Sequence, residues 1–325
     1  MMKWKDAPGR SVPCYIFTNL EKTGFVSHGF TTKLYRDNGT VHDFFQPLLR
    51  RDSDPREVEH CQQLLLDQFG IDADHLVASA QKHTSNIHLI TEADLGPQES
   101  RPSLEAIDGL ITNLPGVLLQ TFGADCPSVY LTDPVHRAIG LCHSGRKGTQ
   151  RHIAAVMLRK MTEAFGTDPK DVQAAISPGI CLNCYEVGDE VAEDFIRDYN
   201  SREDSPEDSP AASGKYPLAG SPVTSGECSP NGSPAALAKL SSLLAHHQDI
   251  GSVLHFQSGK YHIDLSQAIR DSLTAAGVPA DQIEQSDLCT KCRCDRFYSF
   301  RAEGHISNEN CALLMISKPA APDAY

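Results

Sequence analysis

Residues 118–149 read LLQTFGADCPSVYLTDPVHRAIGLCHSGRKGT, and the fold follows from how this stretch is divided. An apolar run at 117–121 ends at Gly123-Ala124-Asp125-Cys126. Two more short apolar runs, 128–132 and 138–142, flank the turn dipeptide Asp133-Pro134. The pattern predicts strand, tight turn, strand, turn, strand, and then a loop bracketed by Gly145 and Gly148. Reactive side chains follow the first and third runs: Asp125 and Cys126 after one, His143 with Arg146 and Lys147 after the other. Neighbouring strand ends are a rigid mount for a thiol and an imidazole.

Upstream, 14–19 and 24–32 read as short strands. Asp54-Pro55 opens a helix whose apolar stripe includes Val58, Leu64, Leu65, Phe69 and Ile71, with Gly70 near its end. A strand at 76–80 runs into Gln81-Lys82-His83, and Asp108-Gly109 is a turn leading into another strand. Downstream, Thr149 is the expected cap of a helix to Phe165, with Ile153, Val156, Met157 and Met161 on one face and Gly166 at its end. A strand at 174–177, helices at 189–199, 235–246 and 265–276 (the last capped by Asp264), and strands at 297–301 and 312–316 complete the pattern. Strands and helices interleave without strict alternation. The expected class is mixed α and β, more α+β than doubly wound, in a single domain with a core at about 12–317. Residues 201–234, rich in Ser, Pro, Gly and acids, have no apolar period and read as a disordered insertion.

With 325 residues and forty per cent apolar content, the chain has enough material for a sizeable core. Its net charge of −13 argues against nucleic-acid binding. No apolar run approaches the roughly 18 residues of a membrane span. Eleven cysteines and the polar start MMKWKDAPGR predict a reducing, cytoplasmic setting in which the cysteines are thiols or metal ligands.

His83, Cys126 and His143 form a candidate metal site. Imidazole and thiolate suit Zn²⁺, and three protein ligands leave a fourth position open for a reactant, although copper stands higher in the affinity order and competes for such donors. The spacing matches no compact finger motif, and core histidines beside a buried thiol are the plain alternative. Arg146 and Lys147, between two glycines and ahead of a helix, read either as an anion site or as solvated charges on a turn. Asp125 is a candidate for acid–base or sugar-hydroxyl contact, or a cap on its own turn. Arg301 is a further candidate for the same pocket, since Ser299, Arg301 and Glu303 would share one strand face. Cys181-x-x-Cys184 and Cys289-x-x-Cys292-x-Cys294 raise a structural zinc, but the missing knuckle glycines favour buried thiols.

A series of motifs then points one way. It comprises His28-Gly29-Phe30-Thr31-Thr32, Gln81-Lys82-His83, Asp108-Gly109-Leu110-Ile111-Thr112, Ala124-Asp125-Cys126, Cys142-His143-Ser144-Gly145, Ile176-Ser177-Pro178-Gly179-Ile180, Cys184-Tyr185-Glu186-Val187-Gly188, Cys289-Thr290 and Phe297-Tyr298-Ser299-Phe300-Arg301. In order and spacing the chain resembles the laccase-domain family, also described as polyphenol oxidase-like proteins or purine nucleoside phosphorylases. The resemblance implies a compact α+β fold, a sandwich of mixed β-sheets covered by helices, and a metal site at His83, Cys126 and His143. It also implies phosphorolysis of adenosine, inosine and methylthioadenosine, with adenosine deamination as a further activity, so the expected partners are purine nucleosides and phosphate. A multicopper oxidase needs many paired histidines, and no His-x-His occurs. The chain departs from the family's His-Ala-Gly-Trp-Arg-Gly, reading His143-Ser144-Gly145-Arg146-Lys147-Gly148, and Lys33 stands where the family has arginine. Lysine keeps the charge and loses the bidentate fork. The alternatives are a hydrolase with Cys126 as nucleophile and His143 as base, and a non-catalytic member whose Ser-Pro sites (Ser205, Ser209, Ser221, Ser229, Ser233) regulate partner binding.

Overall fold

The computed structural model describes residues 3–5, 11–43, 45, 54–97, 100–200, 251–306 and 308–318. Two six-stranded sheets carry the architecture. In spatial order the first runs Lys3–Lys5, Cys14–Ile16, Val26–Thr31, Asn310–Ile316, Leu118–Gly123, Leu76–Ala78. The second runs Ile283–Gln285, Gln173–Ile176, Ser128–Asp133, Ala138–His143, Gly109–Thr112, Ile87–Leu89. Most pairs are antiparallel. Parallel pairs occur at one edge of the first sheet and at both edges of the second, so both sheets are mixed.

The stretch 118–149 is thereby split between layers. Its first strand lies in the first sheet, and the other two form a hairpin in the second, with Ser128 opposite His143 and Asp133 opposite Ala138. The Asp133 carboxylate closes this hairpin by accepting from the N–H groups of Val135 and His136. Cys126 sits on the crossover from one sheet to the other, two residues before the position facing His143.

Every residue of these three strands is buried, because both faces of each sheet are covered. Side chains alternate between two cores. Phe30, Leu119 and Leu314 of the first sheet meet Tyr130, Ile139 and Leu141 of the second. Leu118, Leu313 and Met315 turn the other way, onto Cys61, Leu64 and Leu65 of helix Pro55–Phe69. Val129, Leu131 and Cys142 face Met157 and Met161 of helix Ile153–Phe165 and Ile269 and Leu273 of helix Leu265–Ala275. The result is a helix–sheet–sheet–helix sandwich, in which each buried Leu or Met contributes about 1.5–3 kcal/mol. Across the middle, the Tyr130 hydroxyl donates to the Gly29 carbonyl at 2.8 Å. A small sheet of Glu186–Val187, Lys260–Ile263 and Leu254–Gln257 packs with helix Asp189–Asn200 into a separate apolar cluster.

Helix ends follow the expected chemistry. Asp54 and Asp264 cap through Arg56 N–H and Gln267 N–H, and Gly70 and Gly166 end their helices in the left-handed region. Three expectations fail. The strand predicted at 14–19 stops at Ile16, where helix Thr18–Lys22 begins; Asn19 then donates across the layers to the carbonyls of Ala174 and Gln282. Thr149 does not cap the long helix. It lies within a short helix, Arg146–Gln150, and donates to Ser144 O. His152, at φ 55°, breaks the axis because its ring is tied to Tyr199 O and the Ser272 hydroxyl. Residues 297–301 form no strand: Ser299 caps a short helix, Phe300–Glu303, by accepting from Ala302 N–H. The insertion at 201–234 and the helix expected at 235–246 lie outside the described residues. Among the described residues, no helix is long and apolar enough to cross a membrane.

Asn310 is fully buried and fully bonded. It donates to Gly123 O and Tyr298 O and accepts from Tyr298 N–H, pinning the start of the crossover to the C-terminal strand. Asn310→Ala removes the side-chain bonds to three buried backbone groups. We expect a loss of about 3 kcal/mol in unfolding free energy, measured by urea denaturation; a change below about 0.5 kcal/mol would contradict this account.

Candidate metal centre

The centre is built from the turn before strand Gly109–Thr112 outward. Asp108 there is completely buried, and a buried carboxylate must be compensated. Its oxygens accept from the N–H groups of Lys82, His83 and Thr84 at 3.1, 3.0 and 2.8 Å and from the Thr84 hydroxyl at 2.7 Å. Three successive N–H groups can converge on one carboxylate because the chain curls there, with His83 at φ 59° in the left-handed region. Gln81 holds the other end of this loop: its amide pairs with both the N–H and the carbonyl of Phe122 in the first sheet. Together these bonds bring His83 over the crossover.

Asp108 also accepts from His143 Nδ1 at 3.0 Å, and the Asp108 carbonyl takes the His143 N–H at 2.8 Å. The ring is thereby held with Nε2 as its outward donor, the usual arrangement behind a metal-ligating histidine. Burial opposes charge on Asp108, yet these hydrogen bonds hold its carboxyl far below the usual range. Burial would likewise push His143 down, but the Asp108 bond and the nearby Cys126 raise it to about 9. Burial would raise the Cys126 thiol; His143 and His83 pull it down to about 6.

The ligand atoms of His83, Cys126 and His143 all lie within 4.8 Å of one another. The two imidazoles meet edge to face with centroids 4.8 Å apart. This spread fits one ion at about 2.0–2.3 Å from two nitrogens and a sulfur. Gly145 forms the wall over the group. A methyl there would stand 2.7 Å from His83 Cδ2 and 2.9 Å from Cys126 Sγ, so the small residue keeps the space open. His83 is exposed, Cys126 half-buried and His143 buried, so the open side faces solvent past His83.

The other expected residues are distributed unevenly. Asp125, at φ 88°, has both carboxylate oxygens engaged: Oδ1 accepts from the Thr290 hydroxyl at 2.6 Å, and Oδ2 accepts from Arg301 N–H at 2.7 Å. Arg301 reaches the area from the short helix Phe300–Glu303, not from a strand. Its guanidinium lies 5.3 Å from the Tyr185 ring centre. Burial and the nearby Cys126 push the Tyr185 phenol up to about 12 against the opposing charges of Arg146 and Arg301. Arg146 donates to Gln150, which in turn donates to Asp198; Lys147 is exposed. The helix after Gly145 is only five residues long, and the long helix expected to follow this loop starts at Ile153. Lys33 donates to the Cys294 carbonyl.

A profile of the family described as multi-copper polyphenol oxidoreductase laccase matches residues 27–219 and 237–317. The chain belongs to this family. It is 29% identical to a purine nucleoside phosphorylase of Bacteroides thetaiotaomicron over 93% of this chain and 96% of that one. It is 31% identical to adenosine deaminase RL5 of an unknown prokaryotic organism, over 73% of each. Among solved structures, the hypothetical protein YfiH of Bacillus licheniformis superposes with a TM-score of 0.72 at 26% identity, covering 97% of this chain and 99% of that one. The mixed-sheet fold is thus the family's fold. The family includes enzymes named for nucleoside phosphorolysis and adenosine deamination, and the donors can hold a metal.

Asp108 and Tyr185 were not among the expected site residues, nor was Gly145 as its wall. Asp108 reads in sequence as half of an Asp-Gly turn; only the fold reveals that its side chain points back onto His143. We expect Asp108→Asn to weaken binding of Zn²⁺, used as the probe in a competitive chelator titration, by about 10–100-fold. Affinity equal to that of the native protein would mean that Asp108 does not orient the ligand.

Proposed function

We propose that the protein is a zinc-dependent purine nucleoside phosphorylase that also deaminates adenosine. The carrying observation is the His83–Cys126–His143 group: three donors around one point, braced from behind by Asp108 and open to solvent in front. Bound Zn²⁺ would supply Lewis acidity, and borderline-soft donors favour it, with copper as the competitor. His83, Cys126 and His143 would hold the ion. In phosphorolysis a phosphate oxygen bonds to the sugar C1′ as the C1′–N9 bond breaks, and its electron pair leaves with the purine, which takes a proton. Arg146 and Arg301, whose charges both act on Tyr185, would supply positive charge for phosphate, with exposed Lys147 as a further cation. Asp125, held by Thr290 and Arg301, fixes the crossover that carries Cys126; contact with a sugar hydroxyl is left to its remaining lone pairs. The relatives named as purine nucleoside phosphorylase and adenosine deaminase support both activities.

A second reading rests on the same geometry. Cys126, His143 and Asp108 stand in the order nucleophile, base and orienting acid, and the thiol is pulled down to about 6. A cysteine-centred hydrolase would work without metal and be inactivated by alkylation at Cys126.

The deciding assay is chromatographic, with zinc-replete protein and adenosine, inosine or methylthioadenosine, each with and without phosphate. We expect phosphate-dependent release of free base, and inosine from adenosine without phosphate, both lost in Cys126→Ala together with the zinc of the His83–Cys126–His143 centre. Turnover of none of the three by zinc-loaded protein would overturn the reading in favour of a non-catalytic member. Metal-free protein that keeps full activity until Cys126 is alkylated would favour the hydrolase.

A further inference from the structure

Behind the site lies a second donor group that the proposed reaction does not use. Cys181 and Cys184 flank the turn after Gly179-Ile180; Cys289 and Cys292 flank the turn after Leu288. The two pairs, 108 residues apart in sequence, meet side by side. Gly179 and Cys289 form a parallel bridge, and Thr290 N–H donates to Gly179 O at 3.0 Å. All four sulfurs lie within 4.8 Å of one another, with Cys184 and Cys292 at 3.4 Å and none in a disulfide. A tetrahedron of sulfurs around Zn²⁺ at about 2.3 Å has edges of about 3.8 Å, which falls inside that range.

Buried thiols do not account for this group. Only Cys289 is buried; Cys181 and Cys184 are half-buried and Cys292 is exposed, which also gives an ion a way in. The Cys289 sulfur accepts from two backbone N–H groups, Cys181 at 3.3 Å and Cys292 at 3.5 Å. Backbone donors aimed at a sulfur favour its thiolate form, which is the metal-binding form. The bond from Cys292 N–H to the sulfur three residues earlier is what winds the second pair into a knuckle without a glycine.

We propose that Cys181, Cys184, Cys289 and Cys292 bind a structural Zn²⁺ ion, distinct from the His83–Cys126–His143 centre. Four protein ligands close the shell and leave no position for a reactant. The ion joins two segments that each continue into the site. Thr290, beside Cys289, donates to Asp125; Tyr185, beside Cys184, lies under Arg301. Such a cross-link fixes the floor on which the crossover rests.

The test counts and identifies zinc rather than activity. Full-length protein purified under reducing conditions should carry about two zinc ions per chain. His83→Ala/Cys126→Ala leaves the buried His143–Asp108 pair intact and should retain about one, with an X-ray absorption shell of sulfur alone at about 2.3 Å. Cys184→Ser/Cys292→Ser, which alters the two more accessible sulfurs, should lose that ion and keep the other. The proposal is overturned if His83→Ala/Cys126→Ala is metal-free, if its zinc shell contains nitrogen, or if Cys184→Ser/Cys292→Ser binds as much zinc as the native chain. A Cys184–Cys292 disulfide found by mass spectrometry in the reduced preparation would overturn it as well. Should either double variant fail to fold, the zinc count and absorption shell of the other decide.

Discussion

The carboxylate of Asp108 is the constraint from which the site follows. It is buried and is compensated by five hydrogen bonds from two separate segments: four from the loop at 82–84, including the Thr84 hydroxyl, and one from His143. A charge in that position is tolerable only if every donor is present, so one group sets loop shape, strand register and ring tautomer together. Because the Asp108 carbonyl also takes the His143 N–H, side chain and backbone fix the same residue twice. The His83 backbone, strained at φ 59°, is held by a bond from its own N–H to this carboxylate.

The two-sheet architecture explains why the donors meet although they are far apart in sequence. The first sheet delivers the crossover, the second delivers His143, and Gln81 ties the His83 loop back to the first sheet through Phe122. Cys126 is placed by the passage between layers, not by a strand. That passage needs tight contacts: a side chain at Gly123 would collide with Cys126 O, and one at Gly179 would press on Pro127 and Asp125 O. Close packing of glycine backbones and the bonds of Asp125 together set the position of the thiol.

Much of this was legible in the sequence, and the reasons differ by residue. The hairpin at 128–143 and the helix from Asp54 to Gly70 carry strong local signals in their turn dipeptides, caps and apolar period, and both formed as read. His83, Cys126 and His143 stood out because their chemistry is rare and each closes an apolar run; the fold brings all three together. The partition of 118–149 between two sheets was not legible, since strands covered on both faces look alike in either layer. Asp108 and Tyr185 were hidden because an Asp-Gly turn and a tyrosine have common structural uses. The short helices at 146–150 and 300–303 were misread because their ends depend on distant partners: His152 on Tyr199, and the Arg301 N–H on Asp125. The cysteine pairs were read as thiols because the glycines of a usual knuckle are absent. A backbone N–H bond onto the Cys289 sulfur takes their place, and no sequence pattern displays that.

The two donor groups differ in a way that fits different tasks. With one thiolate and two neutral imidazoles, Zn²⁺ at His83, Cys126 and His143 would remain a net positive centre, next to Arg146 and Arg301, which both act on Tyr185. Four thiolates around Zn²⁺ at the cysteine group would instead leave net negative charge, which suits a closed cross-link and repels an anion. Asp125 stands between them, its negative charge taken up by the Thr290 hydroxyl and the Arg301 N–H. Loaded with zinc, the three-donor centre would attract an anion and leave a coordination position for it, whereas the four-cysteine group would do neither.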